Sequence, residues 1–306
     1  MSEAAPPAFS VVVPVYNEDA NVLPLFAEIH EVMTAVARPF EVIFVNDGST
    51  DGTLARLREA ATRAANLRIL DLDGNFGEAA ALCAGFHAAR GDVVITLDGD
   101  GQNDPHDIPR LLETLQRDGY RVVSGWRQQR QEDLLVRVLP SRLANALIAA
   151  VSRIPVHDNG CGLKAYRRTV VAGASLPRGM NRFLPEILGV TAVQVAEVPV
   201  NDRRRQHGQS HYGLSRTIIV LRDLLALRFI IARPRPAEPI AAGVAVAAAG
   251  LTAVAGLRGM ALLAMILAVV AVMAALIAWN LRRFNRAQRD GVFRVRREYS
   301  AAQGTS

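Results

Sequence analysis

Lysine is nearly absent from this sequence: of 35 basic residues in 306, Lys164 is the one that is not arginine. Genomic base composition accounts for such a bias without appeal to function. Cysteine is as scarce, with Cys83 and Cys161 alone, which excludes a disulfide framework and any cysteine-rich metal ribbon. No G-x-G-x-x-G follows the first apolar run, and that disfavours a nicotinamide-dinucleotide enzyme. There is no internal repeat and no low-complexity tract. The opening residues, MSEAAPPAFS, hold no basic region followed by an apolar stretch, so no secretory signal is expected there.

What the sequence has in excess is apolar residues, at 50%, with a mean hydropathy of +0.16. The excess is concentrated in two uncharged runs, 240–257 and 260–281, separated by Arg258-Gly259. Each is long enough to cross a bilayer. One continuous helix over both would reach roughly 63 Å, about twice the hydrocarbon thickness, so two spans with a turn at Arg258 are expected. Eight arginines lie between Arg203 and Arg235 and seven between Arg282 and Arg297, against Arg258 alone in the turn. The positive-inside rule puts both flanks, and with them the large N-terminal region, in the cytoplasm. Net charge is +6, but the arginines cluster beside the spans, which points to anionic lipid headgroups and not to nucleic acid.

Before residue 127, short β-branched runs alternate with amphipathic stretches: SVVVPV, then 20–36; EVIFVND, then 51–65; LRILDL, then 77–89; DVVITL, then 106–118; and RVVSG. The alternation predicts an α/β fold with a mainly parallel sheet. Ligands of such sheets gather beyond the carboxyl ends of the strands. There the sequence places YNED, NDGSTDGT, GNFGE and DGDGQNDP. Further on, helices are expected near 132–153 and 183–190 and a strand near 193–200. Residues 214–233 carry too many charges to span a membrane and read as an interfacial amphipathic helix, with the three prolines up to Pro239 as its elbow.

The stretch LDGDGQNDP carries the chemistry. At strand periodicity Asp98, Asp100 and Gln102 project to one side, giving hard oxygen donors that suit Mg²⁺ or Mn²⁺ with coordination positions left for substrate phosphates. A lone D-x-D is often just a solvated acidic turn; joined to three other polar clusters at strand ends, it predicts a metal site. Asp47 ends the second strand too early to cap the following helix, a role left to Thr50 or Asp51. Asp47 and Glu18 can each accept hydrogen bonds from a nucleobase or a ribose hydroxyl. His87, His106 and His157 show no ligand spacing, and Cys83 and Tyr166 are expected in the core.

Taken together, VVVPVYNE, VNDGSTDGT, LDGDGQNDP, DNGCGLKAYRR and RQHGQSHY resemble the GT-A-fold, family 2 glycosyltransferases, and within them the polyprenyl-phosphate glycosyltransferases. The resemblance covers about residues 9–214. It implies a Rossmann-like GT-A domain over 1–213, an amphipathic juxtamembrane helix and elbow over 214–236, two transmembrane helices over 237–283 and a basic cytoplasmic tail over 284–306. It also implies that Pro14, Tyr16, Glu18, Asp47, Asn75, Gly77 and Asp98 line a nucleotide pocket, that Asp98, Asp100 and Gln102 hold the metal, and that Asp98, Asp100 and Arg127 are catalytic. Arg127, Arg137, Ser141, Arg205 and His211 resemble the residues that hold the lipid phosphate. His211 stands where the family usually has lysine, so its charge depends on pH near neutrality.

The implied reaction is metal-dependent inverting transfer of a sugar from a nucleotide-diphosphate sugar to a polyprenyl phosphate, undecaprenyl or dolichyl, at the cytoplasmic membrane face. The expected partners are the donor, the lipid and the membrane, with a homo-oligomer, four copies in the resembled family. A processive polysaccharide synthase is the nearest alternative, but no Q-x-x-R-W occurs. A non-catalytic nucleotide-sugar-binding membrane scaffold is the alternative from another class, and turnover separates it from an enzyme. Because the expected catalytic groups all precede residue 206, a chain ending near Arg235 is expected to bind donor.

Overall fold

The computed structural model describes residues 6–117, 119–128, 154, 156–203, 227, 229–230 and 234–301. The chain divides into two units, one comprising 1–149, 153–211 and 292–306 and the other 150–152 and 212–291.

The first unit is built on strand β1 (Phe9–Val15), all seven of whose residues are buried. A strand covered by helices on both faces reads as a continuous apolar run, and FSVVVPV does. Around it lie β2 (Phe40–Asn46), β3 (Leu67–Leu72), β4 (Val93–Thr96), β5 (Val122–Arg127), β6 (Lys164–Arg167), β7 (Val195–Val200) and β8 (Val295–Ser300). They form one sheet in the order β7-β5-β6-β4-β1-β2-β3-β8. β1 pairs in parallel with β2 and with β4, β2 with β3, and β5 with β7. β6 runs antiparallel between β4 and β5, and β8 antiparallel to β3.

The crossover helices are α1 (Val22–Ala35), α2 (Thr53–Ala61), α3 (Glu78–Ala88) and α4 (Ile108–Gln116). Each falls within the stretch expected from sequence. α4 buries Ile108, Leu111, Leu112 and Leu115, the i, i+3, i+4, i+7 stripe of a helix packed on a sheet. The expected helix near 183–190 shrinks to a 3-10 turn at Asn181–Phe183 followed by Leu184–Ile187 (α6). Gly189, with φ +70°, closes it. A single helical turn, α5 (Arg168–Val171), follows β6. The helix expected over 132–153 lies outside the described residues.

β8 was not anticipated. Residues 284–306 read as a basic tail, yet Val295–Ser300 forms an edge strand registered on β3 from Arg68↔Ser300 to Leu72↔Val295. A charge network, buried at Arg68 and Glu41, fixes it: Arg68 donates to Glu298 at 2.8 Å and to Glu41 at 2.7 Å. Glu41 in turn accepts from the Ser10 hydroxyl at 2.6 Å and the Arg90 amide at 2.8 Å. One guanidinium thereby joins β3 to β2, β1 and β8.

In the second unit, α7 (Pro234–Leu257) and α8 (Ala261–Asp290) form an antiparallel pair turning at Gly259, φ +68°, where the sequence placed the turn. At 24 and 30 residues they run about 36 and 45 Å at 1.5 Å per residue, enough to cross a bilayer. Val246, Leu257 and Leu262 are 75%, 89% and 67% exposed, the reverse of a soluble core. Glu238 near the start of α7 accepts from Arg282 at 3.0 Å and Asn285 at 2.7 Å on α8. Of the expected interfacial helix, the described residues Leu227, Phe229 and Ile230 are helical.

Candidate active site

The chain reverses its direction of travel across the sheet between β1 and β4, and a crevice opens at the carboxyl ends of strands at such a point. The loops after β1 and β2 are knitted into one wall. Asn17, at φ +56°, donates its amide to Ser49 Oγ at 3.0 Å and accepts from the Thr50 amide at 2.8 Å. The Glu18 amide donates to Thr53 Oγ1 at 2.9 Å. Asp51 accepts from the Thr53 amide at 3.0 Å and hydroxyl at 2.6 Å, one residue ahead of Gly52, which is the N-cap of α2 and offers no side-chain cap. Pro14 is buried and Tyr16 is 43% exposed at the rim. Glu18 accepts from Asn21 at 2.5 Å.

Asp47 is buried and holds the next turn. Its two oxygens accept from the amides of Phe76 at 2.7 Å and Gly77 at 2.8 Å. Burial pushes its carboxyl up, opposed by those two amides and by the charge of Arg178. Gly48, at φ +70°, has no room for a side chain: a Cβ there would sit 2.6 Å from Gly74 C. Arg178 lies over Gly77 and donates to Asn75 Oδ1. Asp47, Asn75 and Gly77 are thus one assembly, with Asp47 shaping the turn through both carboxylate oxygens.

The Asp98–Gln102 turn follows β4. Asn103 Oδ1 accepts the Asp98 amide at 3.0 Å, and Asp100 accepts the Gln102 amide at 3.0 Å. Gly101, at φ +74°, makes the reversal. Burial pushes the Asp98 carboxyl up to about 8, aided by the charges of Glu78 and Asp100 and opposed by Arg127 and Lys164. Half-buried Asp98 feels two further carboxylates as well as Arg127 and Lys164, and its donors are hard oxygens; Asp98, Asp100 and Gln102 therefore fit a divalent cation. Gly162 presses on this carboxylate from behind, since a Cβ there would lie 2.2 Å from Asp98 Oδ1.

Arg127, last residue of β5, points its fork at Asp158: Nε to Oδ2 at 2.7 Å and Nη2 to Oδ1 at 3.1 Å. Asp202 stands 3.9 Å from Nη1. Burial alone would lower its pKa, but Asp158 overcomes this and keeps the guanidinium charged. Arg127 is thus brought beside the acidic turn with its fork engaged. Arg137, Ser141, Arg205 and His211 lie outside the described residues. Cys83 and Tyr166 are core residues, as expected, and Cys161 is buried too. Glu28, Asp104 and His106 bring ligand atoms within 4.8 Å of one another, but Arg203 neutralises the carboxylates at 2.6 and 2.7 Å.

Sequence reasoning assigned no role to Asp158, Arg178 or Glu78. DNGCGLK was recognised only as a motif, and Arg178 carries no local signal at all.

A GT-A fold with a D-x-D turn at its switch point defines a glycosyltransferase. The sequence pattern of glycosyl transferase family 2 matches residues 10–173, and the chain belongs to that family. It is 41% identical over 231 residues to dodecaprenyl-phosphate galacturonate synthase of Rhizobium johnstonii, covering 74% of this chain and 68% of that protein. It is 39% identical over 217 residues to undecaprenyl-phosphate 4-deoxy-4-formamido-L-arabinose transferase of Pseudomonas aeruginosa, covering 71% and 63%. The chain thus spans slightly under two thirds of the length of the second relative. Among solved structures, glucosyl-3-phosphoglycerate synthase of Mycobacterium tuberculosis with UDP superposes with a TM-score of 0.57 at 22% identity, over 73% of this chain and 80% of that one. The same enzyme with Mn²⁺, UDP and glucosyl-3-phosphoglycerate gives 0.55 at 22% identity, over 72% and 78%. At that identity the likeness shows the fold.

Proposed function

We propose that this protein transfers a sugar from a nucleotide-diphosphate donor to a polyprenyl phosphate, with inversion, at the cytoplasmic face of a membrane. The observation that carries the reading is a partly buried acidic turn, Asp98–Gln102, with Arg127 beside it, in a chain that also has two bilayer-length helices. The named relatives act on polyprenyl phosphates, which supports the same acceptor class here.

In this reading Pro14, Tyr16, Glu18, Asp47, Asn75 and Gly77 form the nucleotide wall, and Asp98, Asp100 and Gln102 hold Mg²⁺ or Mn²⁺. When bound, the cation supplies Lewis-acid stabilisation of the diphosphate leaving group. The acceptor is a phosphate monoester with a second pKa of about 6, so it is largely dianionic near neutral pH and needs no general base. One of its oxygens forms a bond to the anomeric carbon while the bond from that carbon to the donor's β-phosphate oxygen breaks, and the nucleoside diphosphate leaves with the electron pair. Arg137, Ser141, Arg205 and His211 hold the acceptor phosphate by charged hydrogen bonds. Arg127, fixed by Asp158, contributes its charge from the end of β5.

The topology is supported from two directions. Arginine flanks both ends of the helical pair. β8 returns to the sheet that holds β1–β7, which requires an even number of crossings between them. The test is to incubate membranes containing the protein with a panel of nucleotide sugars and undecaprenyl phosphate and to weigh the lipid products. A glycosyl undecaprenyl phosphate from at least one donor is expected; the absence of any such product contradicts the reading.

A further inference from the structure

The single lysine lies where the acidic turn begins. Lys164 opens β6 directly across from Thr96, the last residue of β4 and two before Asp98. Its side chain is buried at 5% exposure. Nζ donates to the backbone carbonyls of Asn159, at 3.1 Å, and Cys161. The loop these carbonyls belong to is held at two more points. The Thr96 hydroxyl donates to Gly162 O at 2.7 Å, and the Gly125 amide to Leu163 O at 2.9 Å. Gly125 has no space for a Cβ against Cys161 Sγ, 2.9 Å away. The outcome of all this clamping is the position of Gly162, whose backbone packs on the carboxylate of Asp98 so closely that a methyl group would overlap three of its atoms.

We propose that Lys164 is a positioning residue for the metal-binding turn: by tying down the carbonyls of Asn159 and Cys161 it sets Gly162 against Asp98 and so fixes the direction in which that carboxylate presents its oxygens. The inference rests on the reading of Asp98 as a metal ligand. A side chain with several donors on one nitrogen suits the position because two carbonyls of buried residues need partners at once. Its charge also attracts the Asp98 carboxylate. Groups that orient a ligand in this way change metal affinity by about 10–100-fold when removed.

The sign of one measurement separates this role from two simpler ones. A bystander charge near the site repels a divalent cation, so removing it strengthens binding. A residue that serves the fold alone lowers thermal stability and leaves the affinity of the folded fraction unchanged. Positioning requires weaker binding in a folded protein.

The experiment titrates purified full-length protein with Mn²⁺, alone and with UDP, and follows free Mn²⁺ by electron paramagnetic resonance. Wild type, Lys164→Met and Lys164→Arg are compared, with thermal unfolding recorded for each. Lys164→Met is expected to weaken Mn²⁺ binding by about tenfold or more while still unfolding cooperatively, and Lys164→Arg to restore most of the affinity. Equal or tighter binding by Lys164→Met overturns the proposal. If Lys164→Met does not fold, Gly162→Ala decides: it leaves the lysine in place and drives a methyl group into the Asp98 carboxylate. Loss of Mn²⁺ affinity supports the proposal, and wild-type affinity overturns it. Failure of the wild-type protein to bind Mn²⁺ in either condition is a different result, which removes the metal reading itself.

Discussion

Arg68 and Glu298, 230 positions apart in sequence, meet at 2.8 Å. That pair ties the segment after the helical hairpin to β3 of the sheet that carries the site, and it changes what counts as the catalytic unit. The sequence places every expected catalytic group before residue 206, which makes a chain ending near Arg235 look sufficient. Such a chain lacks β8, leaves the edge of β3 unpaired and removes one of Arg68's two carboxylates.

The consequence is testable by substitution in the full-length protein. Arg68→Met leaves Glu41 buried without its cation and is expected to cost about 3–5 kcal/mol. Glu298 is 37% exposed on its side chain, so Glu298→Gln should cost no more than about 1 kcal/mol. Thermal unfolding in detergent reads both. Equal losses for the two variants contradict this division, and a chain ending near Arg235 that unfolds as cooperatively as wild type contradicts the structural role of β8.

Asp98 should be a stability liability without metal. Its folded-state pKa is raised to about 8 from an ordinary 3.8, chiefly by burial. Below the unfolded value both states are protonated and nothing is lost. As pH rises, the unfolded chain ionises first, so the folded state is progressively penalised until the folded pKa is passed. Asp98→Asn removes the penalty at nearly constant volume. In the presence of a chelator at about pH 8.5 the variant is expected to melt above wild type, with the gap closing towards about pH 5. A variant that melts below wild type at the higher pH contradicts the assignment.

Arg137 and Arg205 are predicted to act on the acceptor and not the donor. Truncating either to Ala should weaken lipid-phosphate use by about 1.5–3 kcal/mol, the range for a charged hydrogen bond. Calorimetric donor affinity should hardly change. Arg127→Ala should behave differently, because it removes the guanidinium that both Asp158 carboxylate oxygens accept from: stability should fall along with activity. Loss of donor affinity matching the catalytic loss for Arg137 or Arg205 moves those residues to the other substrate.

Much of this was legible. Strands β1 to β5 were readable because each is a β-branched run ended by a polar turn, and Asp98, Asp100 and Gln102 because their alternate spacing at a strand end has few other uses. β6 escaped notice as four residues, KAYR, inside a motif with no apolar run of its own. β8 escaped because VRREYS reads as charged and solvated; its partner β3 is supplied by a segment far away in sequence. The same non-locality hid the arrangement around Arg127, whose partner Asp158 is 31 residues on, and around Asn75, reached by Arg178 from 103 residues away. Sequence names the chemistry at each strand end; which side chain grips which depends on contacts that no local pattern encodes.

The most direct test of the account compares wild type with Asp100→Asn, purified and full-length, using whichever nucleotide sugar the donor panel identifies, undecaprenyl phosphate and saturating Mn²⁺ or Mg²⁺. Asp100→Asn removes a ligand charge without changing volume. The account predicts that wild type forms glycosyl undecaprenyl phosphate, that chelation stops it, and that the variant folds normally but forms essentially none. Near-normal turnover by Asp100→Asn, or turnover by wild type that survives chelation, contradicts a metal-dependent transfer at this turn.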